Sequence, residues 1–157
     1  VTLSARTVAI ATAAIAVLLT LWLWPKPALT DEDQIRALVA SCVRAAEDKD
    51  VSVIADAMTD GFQGPSGAGR DEVKRLIAFQ VLRDKESVAV FNPSLTVDLT
   101  GPDTASVRGK FVFARAKAES FNQLPEGSVV NAYEIGAGLK KVDGKWRFAS
   151  ATYQQGL

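Results

Sequence analysis

Three hydrophobic patterns succeed one another along this chain. Residues Thr7 to Trp24 (TVAIATAAIAVLLTLWLW) show no period: the run has no charge, no glycine and no proline. From Thr30 to about Arg83 apolar residues recur every three or four positions, and from Ser87 onward they alternate with polar ones. A continuous apolar run, a 3.6-residue period and a period of two predict, in order, a membrane helix, amphipathic helices and half-buried strands.

At about 1.5 Å per residue the first run reaches roughly 27 Å, enough to span a thin hydrocarbon core. Residues 1–24 are therefore expected to form an N-terminal membrane anchor, with Trp22 and Trp24 at the downstream interface. Arg6 precedes the run, while Lys26 and the acidic Asp31, Glu32 and Asp33 follow it. That bias favours an amino terminus inside and a domain outside. A cleaved signal peptide is the rival reading. Its apolar core is usually shorter, and the exit Pro25-Lys26-Pro27-Ala28 is a poor small-x-small cleavage site. Residues 25–29 read as a short linker and 30–157 as one domain.

Within the domain, Thr30 ahead of Asp31-Glu32-Asp33 is a hydroxyl cap followed by acids that complement the helix dipole. Ile35, Leu38, Val39, Cys42, Val43 and Ala46 then share one face, with Arg36, Arg44 and Glu47 left for solvent, and the helix ends near Asp48. Asp50 caps a second helix over Val51, Ile54, Ala55 and Met58 that runs to about Thr59-Asp60-Gly61, and Phe62-Gln63 is expected as a minimal strand. Gly64-Pro65-Ser66-Gly67-Ala68-Gly69 is a turn or loop. It resembles a phosphate-cradling loop only superficially, because it lacks the Gly-Lys-Ser/Thr ending. A third helix opens at Asp71-Glu72, buries Val73, Leu76 and Ile77 with Gln80 or Val81, and ends near Arg83.

The alternating part predicts a meander. Its first strand carries Val88 and Val90, is bent or interrupted at Asn92-Pro93, and resumes with Leu95, Val97 and Leu99. Thr104 to about Lys117 places Ala105, Val107, Gly109, Phe111 and Phe113 on one face. A polar connection from Glu119 to Ser128 is the expected mobile segment. Asn131 to Val142 then alternates Tyr133, Ile135, Ala137 and Leu139 against Glu134, Gly136, Gly138 and Lys140. The two glycines on one face suggest a bend or close approach. Asp143-Gly144 is a tight hairpin signal, and Lys145 to Gln154 returns with Trp146 and Phe148 opposite Arg147 and Ala149.

Composition narrows the chemistry. The chain has 18 basic and 18 acidic residues, so no long-range field would gather nucleic acid. It has no histidine and one cysteine. That removes the usual zinc, copper and non-haem iron sites and histidine-based dyads, so neither a metal nor a cofactor is expected. Cys42, on an apolar stripe, reads as a buried thiol.

Helices followed by long curved antiparallel strands give an α+β domain. Its motifs are Glu47-Asp48-Lys49-Asp50 at the helix break, Asp60-Gly61-Phe62 after the second helix, Gly69-Arg70-Asp71-Glu72-Val73 opening the third, Asp103-Thr104-Ala105-Ser106-Val107, and Val142-Asp143-Gly144-Lys145-Trp146-Arg147-Phe148. In this order they resemble the cone-shaped, cystatin-like fold of the nuclear transport factor 2-like superfamily, nearest its uncharacterised bacterial members, over roughly Asp31 to Tyr153. The resemblance implies a pocket between the concave sheet face and the helices, and dimerisation through the convex face. The superfamily holds polyketide cyclases, ketosteroid isomerases, dehydratases and non-catalytic modules, so it does not fix an activity.

The expectation is a domain anchored in a bacterial inner membrane with its globular part in the periplasm. The favoured role is non-catalytic assembly, as a homodimer or with a membrane-protein partner, through the outer sheet face. The alternative is a binding module for a small apolar or lipid-like ligand in a cavity lined by Ile77, Phe111, Phe113, Tyr133 and Trp146. An isomerase- or cyclase-like enzyme ranks last. The candidate acids Asp56, Asp98 and Glu134 are not forced inward, and Glu134 should leave the face opposite Tyr133. No catalytic residue is assigned.

Overall fold

Thr30 caps the first helix, α1 (Asp31–Glu47), by accepting a hydrogen bond from the Asp33 amide, and Asp31, Glu32 and Asp33 fill its first turn. Lys49 takes φ 61° just past its end. The Asp50 amide then returns to the Ala45 carbonyl at 2.8 Å, which satisfies a terminal acceptor and stops the helix. Asp50 in turn caps α2 (Val51–Asp56) through the Ser52 and Val53 amides. This computed structural model describes residues 28–83, 89–114, 121–123 and 129–156. The anchor expected over Thr7 to Trp24 lies outside them. Among the described residues no helix is long and apolar enough to cross a membrane.

α2 stops earlier than its apolar spacing predicts. Met58, expected on the helix, instead begins β1 (Met58–Gln63), and the expected two-residue strand becomes one of six. The Ala57 carbonyl accepts the Phe148 amide at 2.8 Å, so pairing with the last strand captures the chain one residue after the helix. Ala57, Met58 and Phe62 are all buried by it.

After a 3-10 turn at Pro65–Gly67 comes α3 (Arg70–Arg83). β2 (Ala89–Gly101), β3 (Thr104–Ala114), β4 (Val129–Val142) and β5 (Lys145–Gly156) follow. The five strands make one curved sheet in the order β1-β5-β4-β3-β2. β2 to β5 form the antiparallel meander, and β1 joins β5 in parallel. β2 runs through Asn92-Pro93 with a register shift between Phe91 and Ser94. As an edge strand it tolerates a residue without an N–H. There Gly109 lies so close that an added Cβ would stand 2.9 Å from the Ser94 carbonyl. A second shift, beside Gly138, bends the β4–β5 pair. At the β4–β5 hairpin Asp143 and Gly144 both take positive φ, the geometry a two-residue turn requires.

α1 lies across the concave face. Ile35, Ala105, Val107, Leu139 and Trp146 form the core there, with Leu38, Leu95, Val97, Ala137 and Phe148 packed against it. Arg36 donates to the Leu95 carbonyl and Glu47 accepts from the Val90 amide, so the helix also covers the free edge of β2. Glu47, expected in solvent, is thus half-buried. α3 packs against α2 and β1. Its expected buried face is reproduced only in part: Val73 and Ile77 are half-buried, but Leu76 is 56% exposed, and Phe79, off that stripe, is 63% exposed.

Candidate functional site

Strand alternation puts Ala105, Val107, Gly109, Phe111 and Phe113 of β3 on the concave face, opposite Leu139, Ala137, Ile135, Tyr133 and Asn131 of β4. Ala137, Ile135 and Tyr133 in turn meet Ala151, Tyr153 and Gln155 of β5. The face is continuous, but the described residues fill only one end of it. At the filled end Ile35 and Leu139 are among the most deeply buried side chains, and Asp31 of α1 ties the end down. Its carboxylate accepts from Lys141 Nζ at 2.6 Å and from Trp146 Nε1 at 3.0 Å. Lys141 also stands 5.2 Å from the Trp146 ring centre. These two hydrogen bonds, with Lys141 the larger influence, hold the Asp31 carboxyl below its ordinary value.

At the other end the rings of Phe113, Tyr133 and Tyr153 run across three strands. Phe113 meets Tyr133 edge-on at 5.8 Å, and Tyr133 meets Tyr153 edge-on at 5.7 Å. Phe111 is the cross-strand partner of Tyr133. Two amides lie beside the rings, with Gln155 Nε2 donating to Asn131 Oδ1 at 3.5 Å. Tyr153 is 57% exposed, and Phe111, Phe113 and Tyr133 are half-buried, so the ring faces are not covered as a filled core would cover them. Both tyrosines of the chain stand here.

Of the five residues expected to line a cavity, Phe111, Phe113 and Tyr133 are gathered in this aromatic row. Trp146 is not. It is 5% exposed inside the sealed core, because Asp31 captures its indole N–H and α1 covers its ring. Ile77 is half-buried on α3; no ring contact among the described residues includes it. Two further residues join the site. Tyr153, which the sequence offers only as one of two phenols, on the last strand, keeps a two-residue spacing from Ala151 and Gln155, and that alternation is the signal that puts it on this face. Glu47 is a solvent residue by the helical period alone. Its carboxylate bonds the Val90 amide at 2.9 Å, and Val90 is the register partner of Phe113, so it stands at the rim of the aromatic end.

The other candidate acids lie elsewhere. Glu134 is exposed on the outer face, opposite Lys110, and Asp98 is exposed there opposite Ser106. Asp56 pairs with Arg70 at 3.3 Å, and Arg70 also binds Asp60 at 2.6 Å. This pair of acids fixes one wall of an open polar recess of about 480 Å3, lined by Asp60, Gly69, Arg70, Asp71, Glu72 and Arg75. Three carboxylates among its six lining residues make it ill-suited to phosphate, in keeping with the missing Gly-Lys-Ser/Thr ending.

The outer sheet face is polar over its middle rows, with one apolar row, Phe91–Val112–Ala132, toward the aromatic end. Exposed Thr96, Arg108 and Thr152 share one cross-strand row with Gly136, and Lys110 and Glu134 share another. Cys42 is half-buried, and desolvation pushes its thiol up to about 11. It stays protonated at neutral pH. Among the described residues no group of three acid, histidine or cysteine side chains could hold a metal ion.

The chain belongs to the SnoaL-like domain family, whose model matches residues 27–152. No functionally curated protein matches it. Among solved structures it is similar to an NTF2-like protein with a cystatin-like fold from Novosphingobium aromaticivorans, at 20% identity and a TM-score of 0.60, covering 90% of this chain and 86% of that one. It is similar also to Aln2 from a Streptomyces species, at 16% identity and a TM-score of 0.66, covering 83% and 93%. A third similar structure is the hexachlorocyclohexane dehydrochlorinase LinA-type3 from Novosphingobium barchaimii, at 14% identity and a TM-score of 0.62, covering 79% and 85%. Identities this low establish the fold alone, a cystatin-like, NTF2-like one.

Proposed function

We propose that the domain is a binding module that takes a small, largely apolar or aromatic molecule against the open end of its concave face. The observation that carries this reading is the row Phe113–Tyr133–Tyr153, left half-covered on a sheet face whose other end is tightly packed. Exposed ring faces offer stacking area, and the two phenols and two amides beside them offer neutral hydrogen bonds that would orient a guest. Assembly through the outer sheet face has less support, because a partner there would have to desolvate Arg108, Lys110 and Glu134. The apolar run 7–24 would hold this module beside a bilayer.

The test is titration of a naphthalene-type fluorescent probe into the protein. Binding should raise the probe's emission and fall about tenfold in affinity in Tyr153→Ala, a loss of roughly 1.4 kcal/mol. Equal binding by wild type and by a Tyr133→Ala/Tyr153→Ala double variant would overturn the reading.

A second reading rests on Glu47. The dehydrochlorinase among the similar structures acts on a chlorinated ring compound by its name. A carboxylate at the rim of an aromatic hollow is a group that could accept a proton from such a guest. Glu47→Gln separates the two, since the amide oxygen can still accept from Val90. A binding module keeps its probe affinity and has no turnover to lose, whereas an eliminating enzyme loses halide or water release.

A further inference from the structure

The two ends of the concave face are reached by different parts of the chain. α1 begins at the sealed end, where Asp31 bonds Lys141 and Trp146, and finishes at the aromatic end, where Glu47 bonds Val90. At about 1.5 Å per residue that helix separates its two ends by roughly 25 Å. Along β4 the path from Tyr133 to Val142, at about 3.3 Å per residue, is roughly 30 Å. The apolar run 7–24 joins the domain at the sealed end through residues 25–29, which even fully extended reach only about 17 Å.

That same end carries three large exposed apolar side chains from three separate elements. Leu29, just ahead of α1, is 62% exposed; Leu99, near the end of β2, is 53%; Val142, at the end of β4, is 39%. Single exposures of this kind are ordinary, but three at the end next to the entry of a membrane-length apolar run belong together.

We infer that the domain stands on the bilayer with its sealed end down. Leu29, Leu99 and Val142 rest in the interfacial layer, and the aromatic end opens into water on the far side, roughly 25 to 30 Å from the lipid. This inference rests on the binding reading above and narrows the ligand. The guest is a molecule dissolved in the aqueous compartment, not an acyl chain drawn from the membrane, because a lipid tail leaving the bilayer would have to cross the length of the domain. The exposed charges at this end have mixed sign with a slight acidic excess: Glu32, Asp33, Asp103 and Asp143 against Arg36, Lys140 and Lys145. Docking is therefore apolar and gains nothing from anionic lipid.

The experiment uses the full chain in phosphatidylcholine nanodiscs, in a Cys42→Ala background. A donor dye is attached through Val142→Cys or through Gln154→Cys, the latter on the outer face near the open end, with an acceptor on the lipid headgroups. Energy transfer should be several-fold stronger from position 142 than from 154, with no increase in that ratio when anionic lipid is added. Equal or reversed transfer, or a chain that does not associate with the discs, overturns the inference. Titrating the naphthalene probe in the same discs keeps the two readings apart. Tyr153-dependent probe binding with reversed transfer leaves the binding module standing and removes the orientation. Ordered transfer with no Tyr153-dependent binding supports the orientation and removes the module.

Discussion

The sealed and open ends of the concave face come from the same alternation on the same strands, yet one is core and the other is surface. Val107 is 7% exposed and Leu139 2%, while Tyr153, on the neighbouring strand of the same face, is 57% exposed. The difference lies in what lies above. α1 presses Ile35 into the sealed end and runs along the edge strand, bonding β2 through Arg36 at that end and Glu47 at the other. α3 packs against α2 and β1 and leaves Leu76 and Phe79 exposed. Apolar residues on a strand face thus become core only where a second layer reaches them, and elsewhere they remain available to a guest.

Breaking the sealed end should have the largest effect. Leu139→Ala removes a side chain that is 2% exposed and should destabilise the domain by about 3 kcal/mol in urea unfolding. The mirror substitution at the open end, Tyr153→Ala, should cost about 1 kcal/mol or less, since only an edge-on ring contact is lost. A comparable cost at both ends would erase the contrast.

The acid response should sharpen it next. The chain has no histidine, so stability should be level from about pH 5 to 8. Asp31 is held below its ordinary 3.8 by the Lys141 and Trp146 hydrogen bonds, and Asp50 below it by the Ser52 hydroxyl and the Val53 amide. A depressed carboxyl contributes stability above its unfolded value and loses it as pH falls through the folded one. Unfolding midpoints should therefore drop below about pH 4. Asp31→Asn should blunt that drop and loosen the sealed end first, read as earlier loss of the Trp146 environment in fluorescence. The smallest effect concerns Cys42. With its thiol near 11, alkylation in the native state at pH 7.5 should be far slower than in urea, and equal rates would show that α1 does not protect it.

Much of the fold was legible because its signals are local. Thr30 and Asp50 cap helices where their side chains meet free amides, Asp143-Gly144 turns the last hairpin, and the opposite directions of Tyr133 and Glu134 follow from the pleat alone. The reading failed where distant partners competed. Met58 fits the helical stripe, but the Ala57–Phe148 hydrogen bond draws it into the sheet. Trp146 alternates with the aromatic set, but Asp31, 115 residues away in sequence, seals it into the core. Leu76 fits a buried stripe, yet it is 56% exposed, and among the described residues no layer covers it.

The chain's own pattern was enough to tell which strand residues face which side, that helices precede strands, and that imidazole chemistry is absent, since these depend on backbone period and composition. Long-range packing settled the rest: which end of the concave face is filled, that Tyr153 completes the aromatic row, and that Glu47 comes to its rim. Those outcomes turn on where α1 crosses the sheet, and that crossing is fixed by contacts between residues far apart in the chain.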